Sequence, residues 1–194
     1  MKLLSVFLTL ISVSLFSAAQ TAPQGLAVNA KAPEFSAKAQ NGKTVSLSAL
    51  LEKGPVVVVF YRGQWCPYCN KQHSQLEDSV ALINAKGATL VAVSPEQPAE
   101  ISKTVSKTKA TYPVLFDDGF QIMKSYNVAF KVDDNTVERY KKFGIDFDKA
   151  NGSNGANLPV PAVYIISKKG VISFKHFNPD YKERVSVKEI LTQL

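Results

Sequence analysis

The 194-residue chain is poor in the residues that most often carry chemistry or covalent bracing: it has two Cys, two His and one Trp. Two cysteines exclude a fold stapled by several disulfides. They also exclude a zinc module, because Cys66 and Cys69 would need two further ligands and neither His73 nor His176 stands at a zinc-module spacing. Covalent haem attachment requires His directly after the second cysteine, where this chain has Asn70. Long basic blocks are missing too. The net charge of +7, or +6 once Lys2 is removed, comes from lysines scattered among Asp and Glu. With no nucleic-acid module in view, that charge reads as solubilising, and no nucleic-acid partner, metal or cofactor is expected.

The apolar run that the chain does have lies at its start. Met1-Lys2 is positive, Leu3 to Phe16 is apolar apart from Ser and Thr, and Ser17-Ala18-Ala19 supplies small residues. This three-part pattern predicts a secretory signal peptide over 1–19, cleaved after Ala19. The run is shorter than the ~20 residues of a bilayer span. No later run reaches that length, so the protein is expected to be secreted or periplasmic, with no membrane contact after cleavage. Export would place Cys66 and Cys69 where disulfides persist.

Beyond the leader, 20–29 reads as a flexible lead-in and 30–194 as one domain. Asn41-Gly42 between short alternating runs predicts a hairpin within Phe35 to Leu47, with a helical turn over Ser46 to Leu51. Val56 to Tyr61 is a β-branched and aromatic run suited to a central strand buried on both faces. After the cysteines a helix is expected to run to about Lys86, its apolar stripe formed by Cys69, Leu76, Val80 and Ile83, with Gly87 ending it. Ala88 to Val93 is a second buried strand. Glu96 to Lys107 reads as a weakly amphipathic helix, Pro113 to Phe116 as a short strand, and Phe120 to Tyr126 as a short helix. Residues 127–157 look irregular, with a mobile loop at Asn151 to Asn157. Ala162 to Ile166 and Val171 to Phe174 form a hairpin, and Val185 to Leu194 a final helix. The order is α/β, a central mixed β-sheet flanked by helices, with an N-terminal β-hairpin.

Two Cys separated by two residues close too small a loop to brace a fold, so the pair reads as a redox couple. It follows a buried strand and opens a helix. A Cys in the first helical turn meets the positive end of the helix dipole, which favours thiolate. Cys66 is therefore expected to be the more exposed and more acidic cysteine, with Cys69 one turn deeper to resolve a mixed disulfide. Pro67 suits the first turn, and Trp65 is expected to shield the sulfur. Arg62 reads equally as a thiolate- or peroxide-stabilising cation and as a surface charge at a strand end. His73 lies four residues after Cys69, where it would either tune that sulfur or sit half-buried on the helix flank. His176 reads as a surface residue. Pro161 precedes a strand, and the sequence leaves its isomer open.

The segments Phe60-Tyr61-Arg62-Gly63-Gln64-Trp65-Cys66-Pro67-Tyr68-Cys69, Val93-Ser94-Pro95-Glu96 and Leu158-Pro159-Val160-Pro161-Ala162 resemble the alkyl hydroperoxide reductase/thiol-specific antioxidant family. The likeness runs from about residue 30 to the C-terminus and is closest to the peroxiredoxin-like branch that carries CxxC. The resemblance implies a thioredoxin-like fold. It also implies a thiol-dependent antioxidant enzyme that reduces peroxides through a Cys66/Cys69 dithiol–disulfide cycle, re-reduced by a thioredoxin-type donor. The alternative is a general thiol–disulfide oxidoreductase without peroxidase activity. In typical thioredoxins the proline matching Pro161 is cis and lies beside the cysteines. The family's peroxidatic Cys falls on Cys69, its Thr on Cys66 and its motif Pro on Arg62. Its distant peroxide-polarising Arg falls near Pro161, so Arg62 is expected to stand in for it.

Overall fold

The structure, a computed structural model, describes residues 22–194. The expected signal peptide lies outside the described residues, as do Gln20 and Thr21. In chain order the strands and helices are β1 (Ser36–Lys38), β2 (Thr44–Ser46), α1 (Leu47–Leu51), β3 (Val56–Phe60), α2 (Pro67–Glu77), α3 (Val80–Ala85), β4 (Thr89–Ser94), α4 (Pro98–Thr108) and β5 (Val114–Phe116). There follow α5 (Gln121–Ser125), β6 (Ala129–Lys131), α6 (Asp134–Lys142), α7 (Phe147–Asn151), β7 (Asn157–Pro159), β8 (Ala162–Ile166), β9 (Ile172–Phe177) and α8 (Val187–Gln193).

A five-stranded mixed sheet, ordered β5-β4-β3-β8-β9, organises the molecule. β3, β4 and β5 run parallel, while β8 is antiparallel to β3 and β9 to β8. Side chains alternate across a strand, and here both faces are buried. Val56, Val58 and Phe60 enter one core with Val91, Met123, Tyr126 and Tyr164. Val57, Val59 and Tyr61 enter the other with Leu76, Ile83, Ile101 and both cysteines. The unbroken apolar run of β3 is the sequence trace of this double burial.

The hairpin β1–β2 turns at Asn41-Gly42 as expected, and Ser46 caps α1 by accepting from the Ala49 amide. Three expectations are corrected. The helix predicted to reach Lys86 is broken after Glu77, where Asp78 and Ser79 intervene. Short polar side chains of this kind favour caps and turns over helix interior, and Glu77 is drawn off to bond the Thr111 amide and hydroxyl. The lead-in expected to be flexible is bonded to the fold: Gly25 donates to Asn127 O in the α5–β6 connection, and Leu26 to the Tyr164 hydroxyl and Asn29 to Ile172 O on the sheet.

The largest correction concerns 127–157, which is built and not irregular. β6 pairs with β7, and α6 and α7 lie between them. Val132, Phe147 and Leu158 form a third small core, against which Trp65, Phe130, Val137 and Tyr140 pack. The loop expected to be mobile contains Asn151 and Asn154, both fully buried. Asn154 donates to Pro95 O and Asp117 O at 2.8 and 2.9 Å, and Asn151 to Gly155 O at 2.7 Å. Polar residues that read as solvent-facing instead satisfy carbonyls inside the fold.

Candidate active site

β3 ends at Phe60, and the chain turns through 61–66 before α2 begins. Cys66 is the N-cap of α2, with Pro67 in its first turn, and Cys66 Sγ accepts from the Cys69 amide at 3.3 Å. Neither cysteine is disulfide-bonded, and their residue exposures are 1% for Cys66 and 0% for Cys69. Both sulfurs are therefore buried, and Cys66 is only marginally the more exposed of the two.

The order of acidity is the reverse of that expected. Cys66 is raised, because its thiol proton is shared toward Cys69 and because it is buried. Burial alone would raise Cys69 too. Against it act the hydrogen bond from Cys66, the charge of Arg184, the Arg62 backbone N–H and the Arg62 charge, and together they hold Cys69 below the ordinary thiol value. The helix-terminus effect favours Cys66, but the hydrogen bond from Cys66, and after it the Arg184 charge, favour thiolate at Cys69. Arg184 Nη2 donates to Cys69 Sγ at 3.4 Å, while Nη1 donates to Gln72 Oε1 at 3.1 Å and Nε to Tyr181 O at 2.9 Å. The fork is fixed on three sides, and one prong rests on the sulfur.

Sequence reasoning does not find Arg184. It sits in the coil before α8, far along the chain, in the unremarkable string Tyr181-Lys182-Glu183-Arg184. Arg184 makes the guanidinium contact to the sulfur, while Arg62 favours the thiolate through its backbone N–H and its charge. Arg62 is not a surface charge either, being 4% exposed. Its guanidinium carbon lies 4.8, 5.5 and 4.2 Å from the ring centroids of Trp65, Tyr140 and Tyr181. A desolvated cation–π contact gives about 2 kcal/mol, against several kcal/mol to bury an ion. Three such contacts are of the same order as that cost.

Trp65 packs against the core cluster that holds both cysteines, and it is itself held edge-on by Tyr140 and Phe147. The α6–α7 segment therefore sets the roof of the site. His73 is fully buried and not half-exposed. Its Nδ1 bonds the Tyr112 hydroxyl at 2.6 Å, and it packs edge-on against Tyr61 at 4.3 Å. Burial, with the Arg184 charge, lowers His73 to about 3, so it is neutral at ordinary pH. His73 supports the helix from inside and makes no hydrogen bond to either sulfur. His176 lies within β9, half-buried, and not on the open surface. The Val160–Pro161 bond is trans, as is every peptide bond among the described residues. Val160 N donates to Val128 O at 2.8 Å.

A second group that sequence reasoning misses is Glu96. It is fully buried, and both its oxygens accept from the Gln64 amide at 2.8 and 2.9 Å. Burial raises it to about 8, with Glu100 and Cys69 adding to the shift and the Gln64 N–H opposing it. The site thus combines an acidified sulfur, a neighbouring thiol three residues away, two guanidiniums and a carboxyl that carries its proton near neutral pH. It can perform two-electron thiol chemistry without leaving the fold.

Comparison with known proteins places this geometry. The profile of the AhpC/TSA family matches residues 28–175. "Peroxiredoxin Q, chloroplastic" of Populus jackii is 30% identical over 152 residues, covering 78% of this chain and 61% of that protein. The protein of the same name from Gentiana triflora is 34% identical over 152 residues, covering 78% and 59%. The chain thus spans about 60% of the length of these curated relatives. Among solved structures, peroxidoxin BcpB of Mycobacterium tuberculosis superposes with a TM-score of 0.66 at 18% identity, covering 86% of this chain and 94% of that one. A putative thiol:disulfide interchange protein DsbE from Chlorobium tepidum gives 0.56 at 22% identity, covering 87% and 98%. These structural likenesses bear out the thioredoxin-like fold.

Proposed function

The chain belongs to the AhpC/TSA family, and from that premise we propose that it is a thiol-dependent peroxidase in which Cys69 is the peroxidatic residue and Cys66 resolves it. The observation that carries the assignment is the Arg184 guanidinium resting on Cys69 Sγ. A thiolate is the nucleophile in such chemistry, and this contact favours thiolate at Cys69.

The Cys69 sulfur attacks the terminal oxygen of a hydroperoxide. An S–O bond forms, the O–O bond breaks, and the departing oxygen takes a proton and leaves as alcohol or water. Fixed donors aimed at developing charge are the main catalytic device available; here they are the Arg184 fork and the Arg62 charge. The Cys66 sulfur then attacks the sulfenic acid, forming the S–S bond and releasing water. The backbone N–H of Cys69 already lies on Cys66 Sγ, so the resolving sulfur is positioned without long-range motion. Two electrons from a dithiol donor of thioredoxin type reopen the disulfide.

On the pattern of residues 1–19 we place the mature protein outside the cytoplasm, where its donor must also act. An exported protein whose N-terminus is Gln20 is the expected result of N-terminal sequencing.

Stopped-flow oxidation of the reduced protein by hydrogen peroxide, followed through Trp65 fluorescence, tests the activity. Oxidation much faster than that of free cysteine, lost in Cys69→Ser and halted at a sulfenic acid in Cys66→Ser, is expected. A rate no better than free cysteine, with rapid reaction toward a model disulfide, would make the protein a general thiol–disulfide oxidoreductase.

A further inference from the structure

Arg62 lends its charge to Cys69 from a distance, but its guanidinium N–H donors are not used by the thiol chemistry. It is 4% exposed, yet among the described residues no carboxylate pairs with it, since the only ion pair there joins Lys103 and Glu100. Its one side-chain hydrogen bond goes to the Tyr140 hydroxyl, a neutral acceptor. Arg62 Nε is buried with no partner. A guanidinium has five N–H donors, so this one is largely unsatisfied. The Cys69 thiolate does not balance the account, because Arg184 already bonds it. Two guanidiniums thus stand against one thiolate, and Glu96, with its proton held up to about 8, adds no negative charge near neutral pH.

The same guanidinium lines a pocket of about 290 Å³ whose other walls include Phe130, Val132, Leu158, Val160 and Pro161. The pocket is open on one side and almost wholly apolar. Neither sulfur lines it, so it is a neighbour of the redox pair and not its reaction chamber. An apolar cleft with one unpaired cation selects for a ligand of matching polarity: an apolar body and a single anionic head. A carboxylate fits the planar guanidinium fork better than a spherical anion does, because two parallel N–H···O bonds can form. The volume lies at the small end of ligand sites, ~300–1,000 Å³, which suits a medium-length alkyl chain and excludes a folded peptide.

We propose that this pocket binds an organic carboxylate with a linear apolar body, its head on Arg62 and its chain against Phe130, Val132 and Leu158. The site lies between the paired strands β6 and β7 and the β3 end of the cysteine turn. It is a binding claim and does not require Cys69 to reduce peroxide.

The test is titration of the reduced mature protein with octanoate, 1-octanol and octylammonium, followed by isothermal calorimetry together with Trp65 fluorescence. Trp65 is the sole tryptophan, 4.8 Å from the Arg62 guanidinium. Octanoate is expected to saturate at least tenfold more tightly than octanol, and octylammonium not to bind. In Arg62→Gln the octanoate affinity should fall to that of octanol. In wild type, raising salt should weaken octanoate and leave octanol unchanged, a measurement that needs no variant to fold. Equal affinities for octanoate and octanol, a salt-independent octanoate affinity, or neither heat nor fluorescence change with octanoate would each overturn the proposal.

Discussion

Arg184 and Cys69 are separated by 115 residues in sequence and by 3.4 Å in space, guanidinium nitrogen to sulfur. Replacing Arg184 by Gln removes the charge and the bond together. The Cys69 thiolate, followed by its ultraviolet absorbance, should then titrate at higher pH. Peroxide oxidation at neutral pH should slow by roughly 10²-fold, the usual effect of deleting one such donor. Arg184→Lys keeps the charge without the fork and should fall between the two. An unchanged thiolate titration in Arg184→Gln would detach this residue from the chemistry.

Glu96 gives the protein a pH dependence with a definite sign. Its folded value of about 8 lies above its ordinary 4.5. Between those values the folded state holds a proton that the unfolded state releases. Stability from this group is therefore full below about 4.5 and falls as pH rises toward 8, at no more than ~1.4 kcal/mol per pH unit. Glu96→Gln keeps an acceptor for the Gln64 amide and removes the titration. Chemical denaturation from pH 5 to 8 should show a decline in wild type that is missing in the variant.

His73 acts in the opposite window. Held neutral down to about 3 against an ordinary 6.5, it binds fewer protons folded than unfolded. Stability is complete above about 6.5 and drops as the solution is acidified toward 3. Replacing His73 by Gln should flatten the acid limb of the stability profile while leaving the Cys69 thiolate titration in place.

Gly63 lies where a side chain has no room. A Cβ there would meet Trp65 Nε1 at 2.5 Å and Glu96 Oε1 at 2.6 Å. Gly63→Ala must push aside the roof of the site or its buried carboxyl. A loss of ~1–3 kcal/mol is expected, as for other overpacked interiors. A shifted Trp65 emission maximum should accompany it, and both are measurable in one denaturation series.

Asn154→Ala strips two carbonyls, Pro95 O and Asp117 O, of their shared donor. About 1–3 kcal/mol should be lost, the cost of leaving buried polar groups unpaired. An exposed loop residue, which is how the sequence reads at 154, would show almost no change.

What was legible in the sequence depended on local signals. The Val56 to Tyr61 run announces a strand buried on both faces, because alternate residues fill two cores. Cys66-Pro67 opening a helix was readable from capping rules, and Asn41-Gly42 from turn chemistry. The α6–α7 segment was hidden because α6 buries no residue completely and packs mainly through Val137 and Tyr140. Its start signals were present: Asp133 accepts from the Thr136 amide and Asp146 from the Lys149 amide. Both aspartates cap helices in a stretch whose sequence otherwise reads as irregular. The acidity of the cysteines was misjudged for a different reason. A helix dipole is visible in one segment of sequence, whereas Arg184 reaches the sulfur only through the tertiary fold.

The burial of both sulfurs sets a limit on how quickly the protein can respond. With exposures of 1% and 0%, neither thiol meets a reagent by simple collision. Each encounter waits for the cover of side chains packed over the sulfurs, the Arg184 fork among them, to part. At low oxidant concentration the rate should rise in proportion to that concentration. At high concentration it should level off at the opening frequency of the cover, which is the same for a small peroxide and a large one. The plateau would then measure a motion of the protein and carry no information about the oxidant.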